Sequence, residues 1–152
     1  MKLWIALIAL FAPAAALAAD DVQLTSKVYV ERTAQGPDGK PATVEEAPSV
    51  VTPGDRLVFR LAYRNTGAAA ASGFSVTNPI PPAVSFASAS DSPLVSVDGG
   101  KSWGQLASLR IAQADGTSRP AQAADVTHIR WTFAQPIAAG SGGELSFRGV
   151  VK

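Results

Sequence analysis

Cysteine is absent from this chain of 152 residues, and histidine occurs once, at His128. Without cysteine the chain forms no disulfides, so a packed core has to hold it together. A zinc site would need further His or Cys ligands. Nucleophilic catalysis through His128 lacks a recognisable partner, because the sequence has neither Cys nor a G-x-S-x-G turn. We therefore expect no cofactor and no catalytic site of these kinds.

Long apolar runs are missing beyond the first residues of the chain. At the start, Lys2 precedes an apolar stretch, and Ala16-Leu17-Ala18 places small residues two positions apart. This pattern predicts a secretory signal peptide over residues 1–18, cleaved before Ala19. We expect residues 19–152 to be exported to the periplasm or cell surface of a bacterium, without a transmembrane anchor after cleavage.

An excess of charge of one sign is also missing. Cleavage would remove Lys2, one of thirteen basic residues, and leave twelve to match the twelve acidic ones. A balanced chain gives no reason to expect nucleic-acid binding. The acidic residues are scattered, without the D-x-D-x-D-G spacing of a calcium loop, so no dedicated metal site is expected.

Short alternating segments between Gly- and Pro-rich turns are what the chain has instead. In Pro53–Gly67, Leu57, Phe59, Leu61 and Tyr63 share one face of a strand. Such segments, without a convincing long amphipathic helix, predict an all-β, single-domain antiparallel β-sandwich. The predicted strands are 22–32, 42–51, 56–64, 74–78, 83–88, 93–97, 126–133 and 144–152.

Two segments are less clear. Ser102–Ile111 fits either a helix or a strand, and 114–125 is interpreted as an Ala-rich polar loop. The alternation also predicts which side chains form the core. These are Phe59, Leu61, Tyr63, Ile129, Trp131, Leu145 and Phe147.

Three motifs carry a family resemblance: P-G-D-x-L-x-F-x-L-x-Y-x-N-T-G from Pro53, V-T-N-P-I-P from Val76, and A-A-G-S-G-G from Ala138 before the last strand. Their succession resembles the bacterial family called domain of unknown function 11, an immunoglobulin-like conserved-repeat domain of exported and cell-surface proteins. The resemblance covers most of Val50–Lys152. It implies an immunoglobulin-like sandwich and no particular activity.

Arginines on the outward faces of the predicted strands form the first candidate site. Arg56, Arg60 and Arg64 share the outer side of one strand, while Arg130 and Arg148 point outward from two others. If these strands are neighbours, the guanidinium groups form a patch suited to the phosphates or carboxylates of a polyanion. The alternative is an ordinary solvated face, on which arginines discourage aggregation.

Ser96–Trp103 matches the pattern S-x-D-x-G-x-[ST]-W, known as the Asp box of sialidases and other propeller proteins. It predicts a structural hairpin turn. Asp98 would accept hydrogen bonds from backbone N–H groups of the turn. Gly99 and Gly100 would permit positive φ, and Trp103 would pack below the turn. The chain is too short for a propeller, so a sialidase is not expected.

These patterns favour a non-enzymatic exported module, with a structural or protein-interaction role. The alternative is a small glycan- or polyanion-binding module that uses the arginine-rich face, and a groove lined by aromatics would favour it. A hydrolase comes third and would need a deep pocket that holds two carboxylates. The expected partners are an envelope protein or an anionic surface polymer.

Overall fold

The computed structural model describes residues 21–152, so the signal peptide expected at 1–18 lies outside the described residues. This part of the chain consists of strands, with two 3₁₀ turns and no α-helix, and all strand pairs are antiparallel. The all-β, antiparallel prediction is confirmed. The strands are β1 (Val22–Gln35), β2 (Pro41–Glu46), β3 (Arg56–Asn65), β4 (Ser75–Pro79), β5 (Val84–Ala89), β6 (Leu94–Ser96), β7 (Arg110–Ala112), β8 (Ser118–Pro120), β9 (His128–Thr132) and β10 (Gly142–Val151).

The strands form two main sheets. The larger has the order β2-β1-β3-β10-β5 and the smaller β4-β9-β6, while β7 and β8 make a separate hairpin. In the larger sheet, β3 lies beside β10. In the smaller sheet, β4, which follows β3 in the chain, lies beside β9, which precedes β10. The chain crosses between the two main sheets four times, from β3 to β4, β4 to β5, β5 to β6 and β9 to β10.

The core lies between these sheets, as alternation predicts. Phe59 and Phe147 face each other across β3 and β10 and stack with ring centroids 4.2 Å apart. Trp131 approaches Phe147 from β9 in the smaller sheet, at 6.5 Å. The predicted core residues are confirmed as buried, except Tyr63, which is only partly buried. Leu24 faces the same way on β1 but is 47% exposed, so the core does not reach the start of that strand.

Some element predictions were wrong. The strand predicted at 42–51 ends at Glu46, before Pro48, and the 102–111 segment is neither one helix nor one strand. It contains the 3₁₀ turn Leu106–Ser108 and then β7. The expected loop 114–125 contains β8 and the 3₁₀ turn Ala123–Asp125. Hydrogen bonds around a polar turn close the β7–β8 hairpin, among them Gln113 N–H to Thr117 O, and apolar periodicity does not report such bonds.

Asn65 closes the larger sheet at one end and is 1% exposed. Its side-chain amide donates to the carbonyl oxygens of Ala69 and Ile137, each at 2.8 Å, and its Oδ1 accepts the N–H of Gly67. The N-T-G motif is thus a turn whose first side chain ties the β3–β4 connection to the β9–β10 connection. Within residues 21–152, no helix has the length and apolar character needed to cross a membrane.

Candidate functional site

The outer face of the larger sheet carries the arginines of β3, and acidic neighbours neutralise the central one. Arg60 donates to both carboxylate oxygens of Glu45 on the β1–β2 hairpin, at 2.8 and 2.9 Å. It also binds Glu144 of β10. These hydrogen bonds raise the pKa of Arg60, and the bond from Arg60 lowers the pKa of Glu45. Arg60 therefore has little capacity left for an external anion.

Arg56 and Arg148 share a second acidic partner. Arg148 donates to Glu31 at 2.9 Å, and Arg56 lies 3.5 Å from the same carboxylate. Val58 lies between Tyr29 and Arg148 in the sheet register and is fully buried, although it belongs to the outward face. Long side chains thus cover this face. A groove of about 530 Å³ remains where these groups meet Arg32, Thr33 and Thr43.

The two remaining arginines lie apart from this network. Arg64 is exposed at the end of β3 and forms no ion pair within residues 21–152. Arg130 belongs to β9 in the smaller sheet, so it does not extend the β3 surface. The single patch that would require all five arginines is therefore not formed. The structure brings together Arg56, Arg60 and Arg148, and it pairs them with carboxylates.

Asp98 organises the hairpin that follows β6. Its Oδ1 accepts the N–H groups of Lys101 and Ser102 at 3.0 and 2.9 Å, and its Oδ2 accepts the Ser102 hydroxyl at 2.6 Å. These bonds, with that of Ser102 Oγ the strongest cause, hold the pKa of Asp98 well below its usual range. Gly99 and Gly100 have φ of 79° and 87°. The contacts of Asp98 are internal to the turn, so this carboxylate is structural.

Trp103 is half-buried beside this turn. Its indole N–H donates to Gly100 O at 3.1 Å, and the guanidinium carbon of Arg130 lies 3.8 Å from its ring centroid. The ring of His128 lies edge-on to the Trp103 ring, with centroids 6.4 Å apart. Arg130 also donates to the Thr77 hydroxyl. These contacts place Arg130 on the outer side of the smaller sheet, where it is held by cation–π stacking.

A cleft opens where the two sheets have unequal strand lengths. β5 pairs with β10 only from Phe147 onward, and β6 pairs with β9 only as far as Arg130. The loop of residues 90–93 crosses between the sheets at this point. Beyond it, β10 and β9 are uncovered on that side, and the interior of the sandwich is accessible. The cleft encloses about 410 Å³.

The cleft combines aromatic and charged groups. Trp131 is buried, and Tyr63 and Phe133 are partly exposed in edge-to-face contact, with centroids 4.8 Å apart. The charged lining residues are Asp91, Arg130 and Glu144. Beside the cleft, Tyr63 crosses Gly143: a Cβ at that position would lie 2.5 Å from the phenolic oxygen. A glycine is therefore required for this placement of the tyrosine.

The loop that borders the cleft is strained but firmly attached. Asp91 and Ser92 have φ of 56° and 45°, a conformation that is unfavourable for residues other than glycine. Ser90 just before them accepts the Trp131 indole N–H through its carbonyl and the Ser146 N–H through its hydroxyl. Both sheets thus fix the base of the loop. Strained backbone of this kind clusters at functional sites.

The open strand segment adds a backbone group to the cleft. Phe133 N–H donates to Phe74 O on the β4 side, so the neighbouring Thr132 points its N–H and C=O the other way, toward the side where β6 has ended. Thr132 is exposed and lines the cleft. A ligand in the cleft therefore meets main-chain as well as side-chain hydrogen-bonding groups.

Within residues 21–152, no group of three or more His, Cys, Asp or Glu is placed to hold a metal ion. His128 Nδ1 lies 3.1 Å from the Thr127 hydroxyl, which donates to Ser96 O and accepts Gly99 N–H. The Thr127 hydroxyl is therefore occupied by hydrogen bonds to the hairpin.

Comparisons with family models, curated proteins and solved structures gave no match to this chain. The resemblance to the domain of unknown function 11 family therefore stays an expectation from its motifs. The cleft was not predicted from sequence. One signal was present: Asp91-Ser92 precedes Pro93 in a turn without glycine, between the short predicted strands 83–88 and 93–97.

Proposed function

We propose that this chain is a non-enzymatic, exported interaction module of the bacterial periplasm or cell surface, with an immunoglobulin-like domain at residues 19–152. The binding surface is the cleft bordered by Tyr63, Asp91 and Phe133. The proposal depends on one observation. At this end of the sandwich, aromatic faces, charged groups and unpaired strand backbone converge around about 410 Å³ of accessible space. Such concave sites with a few polar groups are the usual form of ligand pockets.

A non-enzymatic role is proposed because the acidic groups of the cleft are not arranged as a catalytic pair. Glu144 accepts a hydrogen bond from Arg60, and Asp91 lies on an exposed loop. General acid catalysis needs a carboxyl group that is free to donate a proton to the ligand, and the Glu144 carboxylate is instead bound to Arg60. Binding without chemistry accounts for the cleft more simply.

The arginine face is the alternative binding surface. Arg56 is 67% exposed in its side chain, which leaves part of its guanidinium accessible. A polyanion on this face would have to compete with Glu31 and Glu45 for the arginines. Its binding would weaken steeply with salt, because exposed charges are screened over about 8–10 Å at physiological ionic strength.

A pull-down on isolated envelope fractions, at low and moderate salt, separates the two surfaces. The mature chain is compared with a cleft variant, Tyr63→Ala/Asp91→Asn, and with Arg56→Gln/Arg60→Gln/Arg64→Gln, after chemical denaturation has shown that each is folded. We expect the cleft variant to lose envelope binding and the arginine variant to keep it at both salt concentrations. Loss only in the arginine variant would transfer the function to the outer face. Equal binding by all three proteins, or by none, would contradict the proposal.

A further inference from the structure

We propose that the cleft binds a single neutral or amino-bearing sugar residue at the end of an envelope glycan. This inference rests on the proposed function, because it names the ligand of the same cleft. It differs from polyanion binding on the arginine face both in the surface used and in the charge of the ligand.

The dimensions of the cleft suit a small ring. Its volume of about 410 Å³ is near the lower end of the range of about 300–1,000 Å³ for small-molecule sites. The loop of residues 90–93 limits it on one side, and Trp131 closes it from below. A sugar ring fits this enclosure, whereas a polymer backbone would need an open channel at both ends.

The chemistry of the lining matches the two kinds of surface on a pyranose. Tyr63 and Phe133 present aromatic carbon to the cleft, and the ring C–H groups of a sugar form an apolar face of similar extent. The cleft is also lined by Asp91, Ser92 and Thr132, and the main chain of Thr132 faces the side where β6 has ended. Carboxylates accept hydrogen bonds from hydroxyl groups strongly, since the acceptor is charged.

The charge of the lining argues against an acidic sugar. Of the charged residues at the cleft, Glu144 is paired with Arg60, which leaves Asp91 and Arg130. Arg130 is already engaged, with Trp103 at 3.8 Å and with the Thr77 hydroxyl. Asp91 forms no ion pair within residues 21–152. An acidic ligand would meet this carboxylate, whereas a hydroxyl or an ammonium group would bind it.

The backbone that carries the Asp91 carboxylate is also held in place before the ligand arrives. Ser90 is bonded to Trp131 of the smaller sheet and to Ser146 of the larger one. The positive φ angles of Asp91 and Ser92 then turn the loop sharply above this anchor. A loop fixed in this way orders less on binding, which favours affinity.

Titration with three defined tetrasaccharides, followed by amide NMR shifts and calorimetry, tests the inference. The probes are the tetramers of N-acetylglucosamine, glucosamine and galacturonic acid. We expect the first or second to bind the mature chain and to shift the amides of residues 91–92, 132–134 and 143–144. Asp91→Asn should weaken binding by about tenfold or more, because it replaces a charged acceptor with a neutral one. Asp38→Asn, an exposed acid in the β1–β2 turn, is the matched control and should bind as wild type.

Other results would overturn the inference. These are no binding of any probe, preference for the galacturonic acid tetramer, or equal binding by wild type and Asp91→Asn. A heptapeptide of alternating threonine and valine with terminal lysines is titrated in parallel. If it binds and Thr132→Pro abolishes its binding, the ligand is an extended peptide paired with β9. If no sugar binds while the cleft variant still loses envelope binding in the pull-down, the sugar inference fails and the proposed function stands.

Discussion

Asn65 shows how a single buried side chain can fix two connections. Its amide supplies two donors to carbonyl oxygens, and its own oxygen accepts a third hydrogen bond, so all its polar atoms are paired. Buried carbonyl groups that lose their donors keep the cost of desolvation without compensation. The N-T-G motif, which contributes to the family resemblance, is therefore explained by turn geometry rather than by a reaction.

Replacement of Asn65 by aspartate should destabilise the protein by about 3 kcal/mol. The change removes both donors and places a carboxylate against the carbonyls of Ala69 and Ile137. Chemical denaturation at neutral pH measures the loss. Asn78→Asp is the matched control, since Asn78 is more exposed and bonds only Pro79 O, and it should cost about 0.5 kcal/mol or less. An equal loss of stability in the two variants would mean that the hydrogen bonds of Asn65 do not stabilise the two connections.

Ser92 lies in a backbone conformation that glycine adopts without strain. The φ angle of Ser92 is 45°. Ser92→Gly should therefore raise the free energy of unfolding by about 0.5–1 kcal/mol, because relief of the left-handed strain outweighs the entropy that glycine adds to the unfolded chain. The same denaturation experiment checks it. Ser88→Gly, in the extended strand β5, should lower stability instead. If Ser92→Gly also destabilises, the loop is not strained as described.

At the scale of elements, the Asp98 hairpin should respond to pH. The pKa of Asp98 is lowered in the folded chain, chiefly by the Ser102 hydroxyl. Its charged form therefore stabilises the fold above the unfolded pKa of about 3.9, and this contribution is lost as pH falls through the folded value. We expect Asp98→Asn to be less stable than wild type at pH 6 and the difference to narrow below about pH 4. Asp91→Asn is the control, and a difference that widens in acid would contradict this account.

Strand pattern and turn residues predicted much of the fold from sequence. The alternation in β3 and β9 placed Phe59, Leu61, Ile129 and Trp131 in the core because one face of each strand is buried. The β7–β8 hairpin was missed because polar turn bonds hold it rather than an apolar face. The cleft could not be predicted, since it arises from where β5 and β6 end relative to their partners. That relation depends on sheet order and register, which a single sequence does not specify.

Export is a prediction about the molecule as a whole. The leader pattern predicts cleavage before Ala19, so mass spectrometry of the protein from its native host should give the mass of residues 19–152 in a periplasmic or surface fraction. An apolar leader that ends in small residues is the pattern recognised and removed during export. A cytoplasmic protein that retains residues 1–18 would contradict the export prediction.

We propose that this sandwich binds through the cleft between β9 and β10 rather than through its arginine face. Amide NMR of the mature chain, recorded with and without a soluble fraction of the native envelope, tests it most directly. We predict shifts at residues 91–92, 132–134 and 143–144, with none at Arg56, Arg60 and Arg64. Shifts confined to the arginine face would contradict the account.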